Sequence, residues 1–240
     1  MLINRDPSPV ETYNDIDGEV VNFFNVLRNN TQELIKAIAL TPFSREEFNK
    51  AIDYEPGISE FERARRFYVR ARQVRTGLAQ KASNGRWANC VMTSRAGMAG
   101  AVSRWLGSIE DLPLIAMRLL RVQIESSEAI DVIKRYDSSE TLFYCDPPYP
   151  HDCRSDINAY GFEMNDADHE ELAFTLNNIE GKAALSTYDS LLIRKLYHNW
   201  TRIEAPIKNC PSVRKPRQEI LLVNYDSEEL QCRIRQEFLI

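Results

Sequence analysis

Histidine and paired cysteine are what this sequence has least of. Three histidines (His151, His169, His198) are scattered through 240 residues, and the five cysteines (Cys90, Cys145, Cys153, Cys210, Cys232) form no C-x-x-C pair. An odd count at wide spacing argues against a disulfide framework and against a thiolate zinc site, and for reduced thiols in a cytoplasm. No metal is expected. No apolar run approaches the ~18–20 residues of a membrane span, and the start MLINRDPS lacks the basic and apolar regions of a signal peptide. What is present is ordinary for a globular chain: 43% hydrophobic and 27% charged residues, which excludes disorder, collagen and coiled-coil rods. A length above the domain mode of about 100–150 residues points to one large domain or one carrying an inserted subdomain.

Acid is nearly absent from one stretch. Residues 61–105 hold ten basic side chains (Arg63, Arg65, Arg66, Arg70, Arg72, Arg75, Lys81, Arg86, Arg95, Arg104) against Glu62 alone, a local charge of +9 in a chain whose net charge is −5. The remainder therefore sums to −14. Such asymmetry is the footprint of a polyanion-binding face on an acidic body. The alternative is a solvated amphipathic helix, disfavoured because few acids are interleaved to make neutralising i,i+4 pairs.

Periodicity divides the chain in three. A β-prone run from Val10 to Tyr13 leads through Asn14-Asp15-Ile16-Asp17-Gly18 into a helix with Val20, Val21, Phe24 and Leu27 on one face. A second helical pattern runs from Thr31 to Ile38, and Ser44-Arg45-Glu46-Glu47 marks a new helix start with an acid-rich first turn. FERARRFYVRARQVR is helical, with Phe61, Ala64, Tyr68 and Ala71 inward, followed by a loop or hairpin turning at Asn84-Gly85 and a helix broken near Gly107 and Pro113. From Arg121 strands and helices alternate: strands at Val122–Ile124, Thr141–Cys145, Lys182–Ser186, Trp200–Ala205 and Glu219–Val223, helices at Ser127–Tyr136, Asp166–Ile179 and Ser190–Tyr197. The pattern predicts an α/β fold, a mostly parallel twisted sheet covered on both faces, with a body at 1–55 and 118–240 and a basic helical insertion at 56–117.

Asp146-Pro147-Pro148-Tyr149 stands at the carboxyl end of a predicted buried strand, where open α/β sheets place their ligand crevices. A plain turn is the other reading, since Asp and Pro both favour turns. In these four residues the chain resembles the adenine-N6 DNA methyltransferases of the Dam type, whose active-site motif is D-P-P-Y after an apolar strand. The resemblance extends to Tyr13-Asn14-Asp15-Ile16-Asp17 and the helix after it, similar to the family's second cofactor strand. It also takes in Val122 to Glu128, Asp168-His169, Leu185-Ser186, and Arg217-Gln218-Glu219 to Asn224-Tyr225, with Thr76-Gly77-Leu78 at the target-recognition position.

The resemblance implies a Rossmann-like sheet binding S-adenosylmethionine, an inserted DNA-recognition subdomain, and methyl transfer to N6 of a flipped-out adenine in double-stranded DNA. The exocyclic amine is a poor nucleophile because its lone pair is delocalised into the ring. If the Asp146 carboxylate and the Pro147 carbonyl each accept one N6–H, the nitrogen moves towards tetrahedral geometry and its lone pair becomes available. Pro148 stiffens the turn, and Tyr149 offers a face to the extruded base. Cys145 is expected in the core. Asp15 is expected to hold ribose hydroxyls and Ile16 to pack on the cofactor's adenine, with Ser126, Ser127, Glu128 and Asp146 also at the cofactor; helix N-capping is the other reading of Asp15 and Asp17. DNA contacts are expected from Arg66, Arg70, Arg72, Arg75, Thr76, Lys81, Arg86 and Arg95, mostly to phosphates.

One family feature is missing. None of the nine glycines lies in the G-x-G of an F-x-G-x-G loop, and Met1 to Arg5 looks like the end of the helix that follows that loop in relatives. On this reading the chain starts late, binds S-adenosylmethionine weakly, and exposes strand edges that invite pairing into a homo-oligomer. A catalytically defective DNA-binding remnant and an N4-cytosine methyltransferase are the alternatives. The resemblance implies a bacterial or phage-encoded cytoplasmic protein, with restriction-modification one of several biological settings.

Overall fold

A computed structural model describes residues 2–53, 55–75, 86–91, 93–95, 97–153, 160–205 and 219–226. Thr76, Gly77, Leu78, Lys81, Asn84, Gly85, Arg217 and Gln218 lie outside them. The chain forms two compact units, residues 1–127 and 128–240, each with its own core.

In the first unit a short strand, β1 (Thr12–Asn14), leads into α1 (Gly18–Asn29). Asp17 starts that helix: its side chain accepts from the Glu19 backbone N–H at 2.9 Å, satisfying one of the orphan donors of a helix N-terminus. α1 buries Phe23, Val26 and Leu27, and α2 (Thr31–Leu40) buries Leu34 and Ile38. Ser44 and Ser59 cap α3 (Arg45–Ile52) and α4 (Glu60–Gln73) in the same way. The stripe of α4 that faces inward is Ala64, Tyr68, Val69 and Gln73, while Phe61 and Ala71 are half-buried.

A two-residue hairpin, β2 (Ser94–Arg95) and β3 (Met98–Ala99), turns at Gly97, whose φ of +75° suits glycine. It is followed by α5 (Gly100–Glu110) and α6 (Leu112–Leu119). Gly107 lies within α5 and does not break it. The break falls at Asp111, with Pro113 in the first turn of α6, where its missing N–H removes no helical bond. Trp105, Leu112 and Leu119 complete a core shared with Leu27, Leu34 and Val69. Each such side chain contributes about 1.5–3 kcal/mol by leaving water. β4 (Gln123–Glu125) then pairs parallel with β1, Tyr13 opposite Ile124. Arg118 of α6 pairs with Glu11, just before β1, through its two terminal nitrogens Nη1 and Nη2, each 2.6 Å from a carboxylate oxygen.

The second unit alternates α7 (Ala129–Tyr136), β5 (Leu142–Cys145), α8 (Asp166–Leu176), β6 (Lys182–Tyr188), α9 (Leu191–Leu196), β7 (Thr201–Glu204) and β8 (Glu219–Val223). Its sheet has the order β5-β6-β8-β7. Along β6 the pleat sends Ala183 and Leu185 into a core with Ile133, Leu172, Leu176, Ile193 and Ile220, while Ala184 meets Ile203 and Val223 on the opposite face.

β5 and β6 are parallel, but β8 runs antiparallel to both β6 and β7. Among the described residues the parallel β1–β4 pair is thus separate from a mixed four-stranded sheet, where the sequence pattern predicts a single mostly parallel sheet. Apolar runs such as Glu219–Val223 reveal burial but carry no direction, so hydrophobic pattern cannot tell a parallel neighbour from an antiparallel one. The fold is mixed α/β.

Candidate active site

β5 delivers Asp146 to its carboxyl end, and β6 lies beside it with Leu185 opposite Cys145. Asp146 reaches the surface, yet burial is the largest influence on its carboxyl and lifts its pKa above the ordinary aspartate range. A hydrogen bond from the Tyr149 hydroxyl pulls the other way, and the charge of Glu219 on β8 adds to the rise. A carboxylate short of solvation is a strong acceptor for any N–H that reaches it.

Tyr149 folds back over the neighbouring strand. Its hydroxyl lies 3.3 Å from Ser186 Oγ, and its ring meets Tyr188 edge-on with centroids 4.5 Å apart. Burial holds the phenol protonated, far above its usual range. Strand period two puts Ser186 and Tyr188 on one face of β6. Ser186 and Glu219 stand among the sequence landmarks; Tyr188 stands in none of them, and only the strand alternation points to it. Cys145 packs against the core with its thiol pushed up to about 12, so it is no nucleophile at neutral pH.

Several landmark residues hold the frame. Asp168 closes a capping box with Asn165 at the start of α8. Asn224 accepts from Ala183 N at 2.7 Å and donates to the Gly181 carbonyl, stitching the ends of β6 and β8.

The two aspartates after β1 separate cleanly. Asp17 is buried and caps α1. Asp15 takes no part in capping: its Oδ1 accepts from Asp17 N at 2.9 Å and its Oδ2 from the Tyr13 hydroxyl at 2.8 Å. Ile16 between them is exposed at 38%. Asn14, at the end of β1, clasps Ser127 from both sides, donating to its carbonyl at 3.0 Å and accepting from its N–H at 3.1 Å. Ser126 and Glu128 flank that clasp and are exposed, Glu128 preceding α7 as its N-cap residue.

The basic run divides into two classes. Arg63, Arg65, Arg66 and Arg70 are paired with acids, all but Glu62 from outside the run. Arg66 binds Glu62 at 2.9 Å and Glu55 at 2.7 Å; Arg70 binds Glu19 at 3.1 Å and the Ala51 carbonyl at 2.7 Å. Arg65 bridges Glu62 and Glu47, and Arg63 pairs with Glu19. Counting neighbours along the sequence misses Glu19 and Glu47, which come from α1 and α3. Arg72, Arg75, Arg86 and Arg95 are exposed. The backbones of Arg75 and Arg86 pair (N to O, 2.7 Å), and Val74 bridges Trp87 in antiparallel fashion.

A family model, that of the D12 class N6 adenine-specific DNA methyltransferases, matches residues 7–209. The chain belongs to this family. It is thus an adenine-specific DNA methyltransferase, with S-adenosylmethionine as methyl donor and DNA as substrate. No curated protein matches the methyltransferase. Among the described residues no helix is long and apolar enough to cross a membrane, and no cluster of three metal-ligating side chains occurs.

Proposed function

We propose that the methyltransferase acts on an adenine rotated out of duplex DNA, with Asp146, Pro147, Pro148 and Tyr149 as its catalytic turn. The observation that carries this reading is a partly desolvated Asp146 at a strand end beside the Tyr149–Tyr188 aromatic pair. Asp146 and the Pro147 carbonyl accept the two N6–H bonds, Pro148 fixes the turn, and the Tyr149 ring takes the place of the lost stacking partner. No base of high pKa is needed, because the methylated ammonium loses its proton after transfer.

The residues after β1 fit the adenosine half of the donor. Asp15 presents a carboxylate already oriented by two hydrogen bonds, each of whose oxygens retains accepting capacity for ribose hydroxyls. Exposed Ile16 offers an apolar face to the purine, and the Asn14 clasp holds Ser126, Ser127 and Glu128 in position. S-adenosylmethionine, when bound, supplies an electrophilic methyl group on sulfonium.

In this reading the strands of residues 1–55 and 118–240 form a Rossmann-like body, and residues 56–117 recognise the DNA. That division is one of role, since α4 and α5 share their core with α1 and α2. β1 and β5 each have one strand neighbour among the described residues, so association of two copies through an open edge belongs to the same proposal, and light scattering checks it. The deciding experiment is transfer of labelled methyl to duplex DNA followed by nucleoside analysis. N6-methyladenine is expected from the wild type and none from Asp146→Ala; N4-methylcytosine would refute the reading of the base.

A further inference from the structure

Three arginines of the first unit converge on one cavity of about 290 Å³, and their chemistry differs from that of every arginine just upstream. Arg72 and Arg75, at and just beyond the end of α4, and Arg104 on α5 form its basic rim; Phe43, Val74 and Ala101 supply apolar wall. Among the described residues none of the three has a carboxylate partner, whereas Arg63, Arg65, Arg66 and Arg70 all have one. Leaving three guanidinium groups together without a counterion raises their mutual repulsion, and an anion in the cavity relieves it.

The cavity is also prearranged. Arg75 Nη2 donates to Asn89 Oδ1 at 2.8 Å, which fixes one fork. The Arg72 guanidinium lies 5.8 Å over the Tyr68 ring, and that ring is 3% exposed and anchored through its hydroxyl to the Ser108 carbonyl at 2.6 Å. Phe43 is braced by Trp87, centroids 5.2 Å apart. Guanidinium forks suit the paired oxygens of a phosphate, and the apolar wall suits the sugar beside it.

We infer that Arg72, Arg75 and Arg104 form a clamp for one backbone phosphodiester of the DNA substrate, Arg104 being a contact that no sequence motif marks. The inference rests on the reading of residues 56–117 as the DNA-recognition part. Arg66 and Arg70, which already pair with Glu62, Glu55 and Glu19, lie outside this clamp.

The test is duplex binding by the full chain, followed by fluorescence anisotropy over a range of salt concentrations and on several DNA sequences. Arg72→Ala/Arg104→Ala is expected to weaken binding uniformly across sequences and to make the log–log salt slope shallower by about 1. Arg104→Lys, which keeps the charge, should retain most of the slope. Both positions are exposed, and an unchanged circular dichroism spectrum and melting midpoint establish that the variants fold. A double variant with the wild-type slope and affinity overturns the clamp while leaving DNA recognition elsewhere in 56–117 intact. A wild-type chain without salt-dependent DNA binding overturns the reading beneath it. Calorimetry with inorganic phosphate adds a third arm: tight binding lost in Arg104→Ala, with DNA affinity untouched, would assign the cavity to a free anion and refute the inference.

Discussion

Asp146 is held in a form the fold does not favour. Burial raises its pKa, so the folded state binds a proton more readily than the unfolded one. The sign follows by linkage: ionised Asp146 destabilises the fold at neutral pH, and that penalty fades as the pH falls through its raised pKa. Asp146→Asn is therefore expected to raise the melting midpoint at pH 7 while lowering methyl transfer about 100-fold or more, the scale on which a single preorganised transition-state contact acts. Calorimetry and a methylation assay on the same preparation check both halves. Wild-type activity should also fall on acidification at a higher pH than an ordinary aspartate would give. Cysteines allow a second residue-scale prediction. Hydrogen bonds with the Thr93 side chain and backbone bring the Cys90 thiol down to about 7, whereas burial pushes Cys145 up to about 12 and Cys153 to about 11. Alkylation followed by mass spectrometry should label Cys90 before Cys145 and Cys153, with a rate that rises through pH 7, and Thr93→Val should move that midpoint upward. The D-P-P-Y turn was legible from four letters and the strand before them. Tyr188 was not, because a tyrosine two residues beyond a serine gains meaning only once β6 is known to lie beside β5.

At the scale of elements, helices and strands were legible wherever a cap or a period marked them. Asp17, Ser44 and Ser190 each cap a helix that the pattern places, and β8 spans the residues expected of it. Strand direction was not legible, since it depends on partners far away in sequence. One joint between elements supports a sharper prediction. Gly181 begins the turn into β6, and a Cβ there would lie 2.8 Å from both the Ser138 and the Thr141 carbonyl oxygens. Asp137, at the end of α7, accepts from the N–H groups of Glu180 and Gly181 at 3.0–3.1 Å. No flexible side chain is available to yield, so the backbone must move. Gly181→Ala is expected to destabilise the protein by about 1–3 kcal/mol, as overpacking does, and to lower activity by shifting β6 against β5. Denaturant titration with a parallel assay measures both effects.

For the whole molecule, charge is where sequence and structure part most. A run of +9 reads as one polyanion-binding face, yet four of its nine arginines are turned onto Glu19, Glu47, Glu55 and Glu62. The family match over residues 7–209 agrees with the family resemblance read from the sequence; nothing in the local composition could disclose this self-neutralisation, because three of the four acids lie outside the run. Its consequence concerns how a target is found. Proteins locate sites by sliding and hopping on non-specific DNA, and the grip that permits sliding also traps the enzyme on the vast excess of wrong sequence. If residues 56–117 hold DNA as proposed, internal carboxylates on α4 and its neighbours cap that grip without reducing the proposed clamp's contribution. Glu62→Gln releases part of the Arg65 and Arg66 pairing and should tighten binding to random duplex, so turnover on a kilobase substrate should slow more than turnover on a short oligonucleotide carrying the same site. On the proposed reading of residues 56–117, the glutamates around α4 would thus tune the enzyme's search speed.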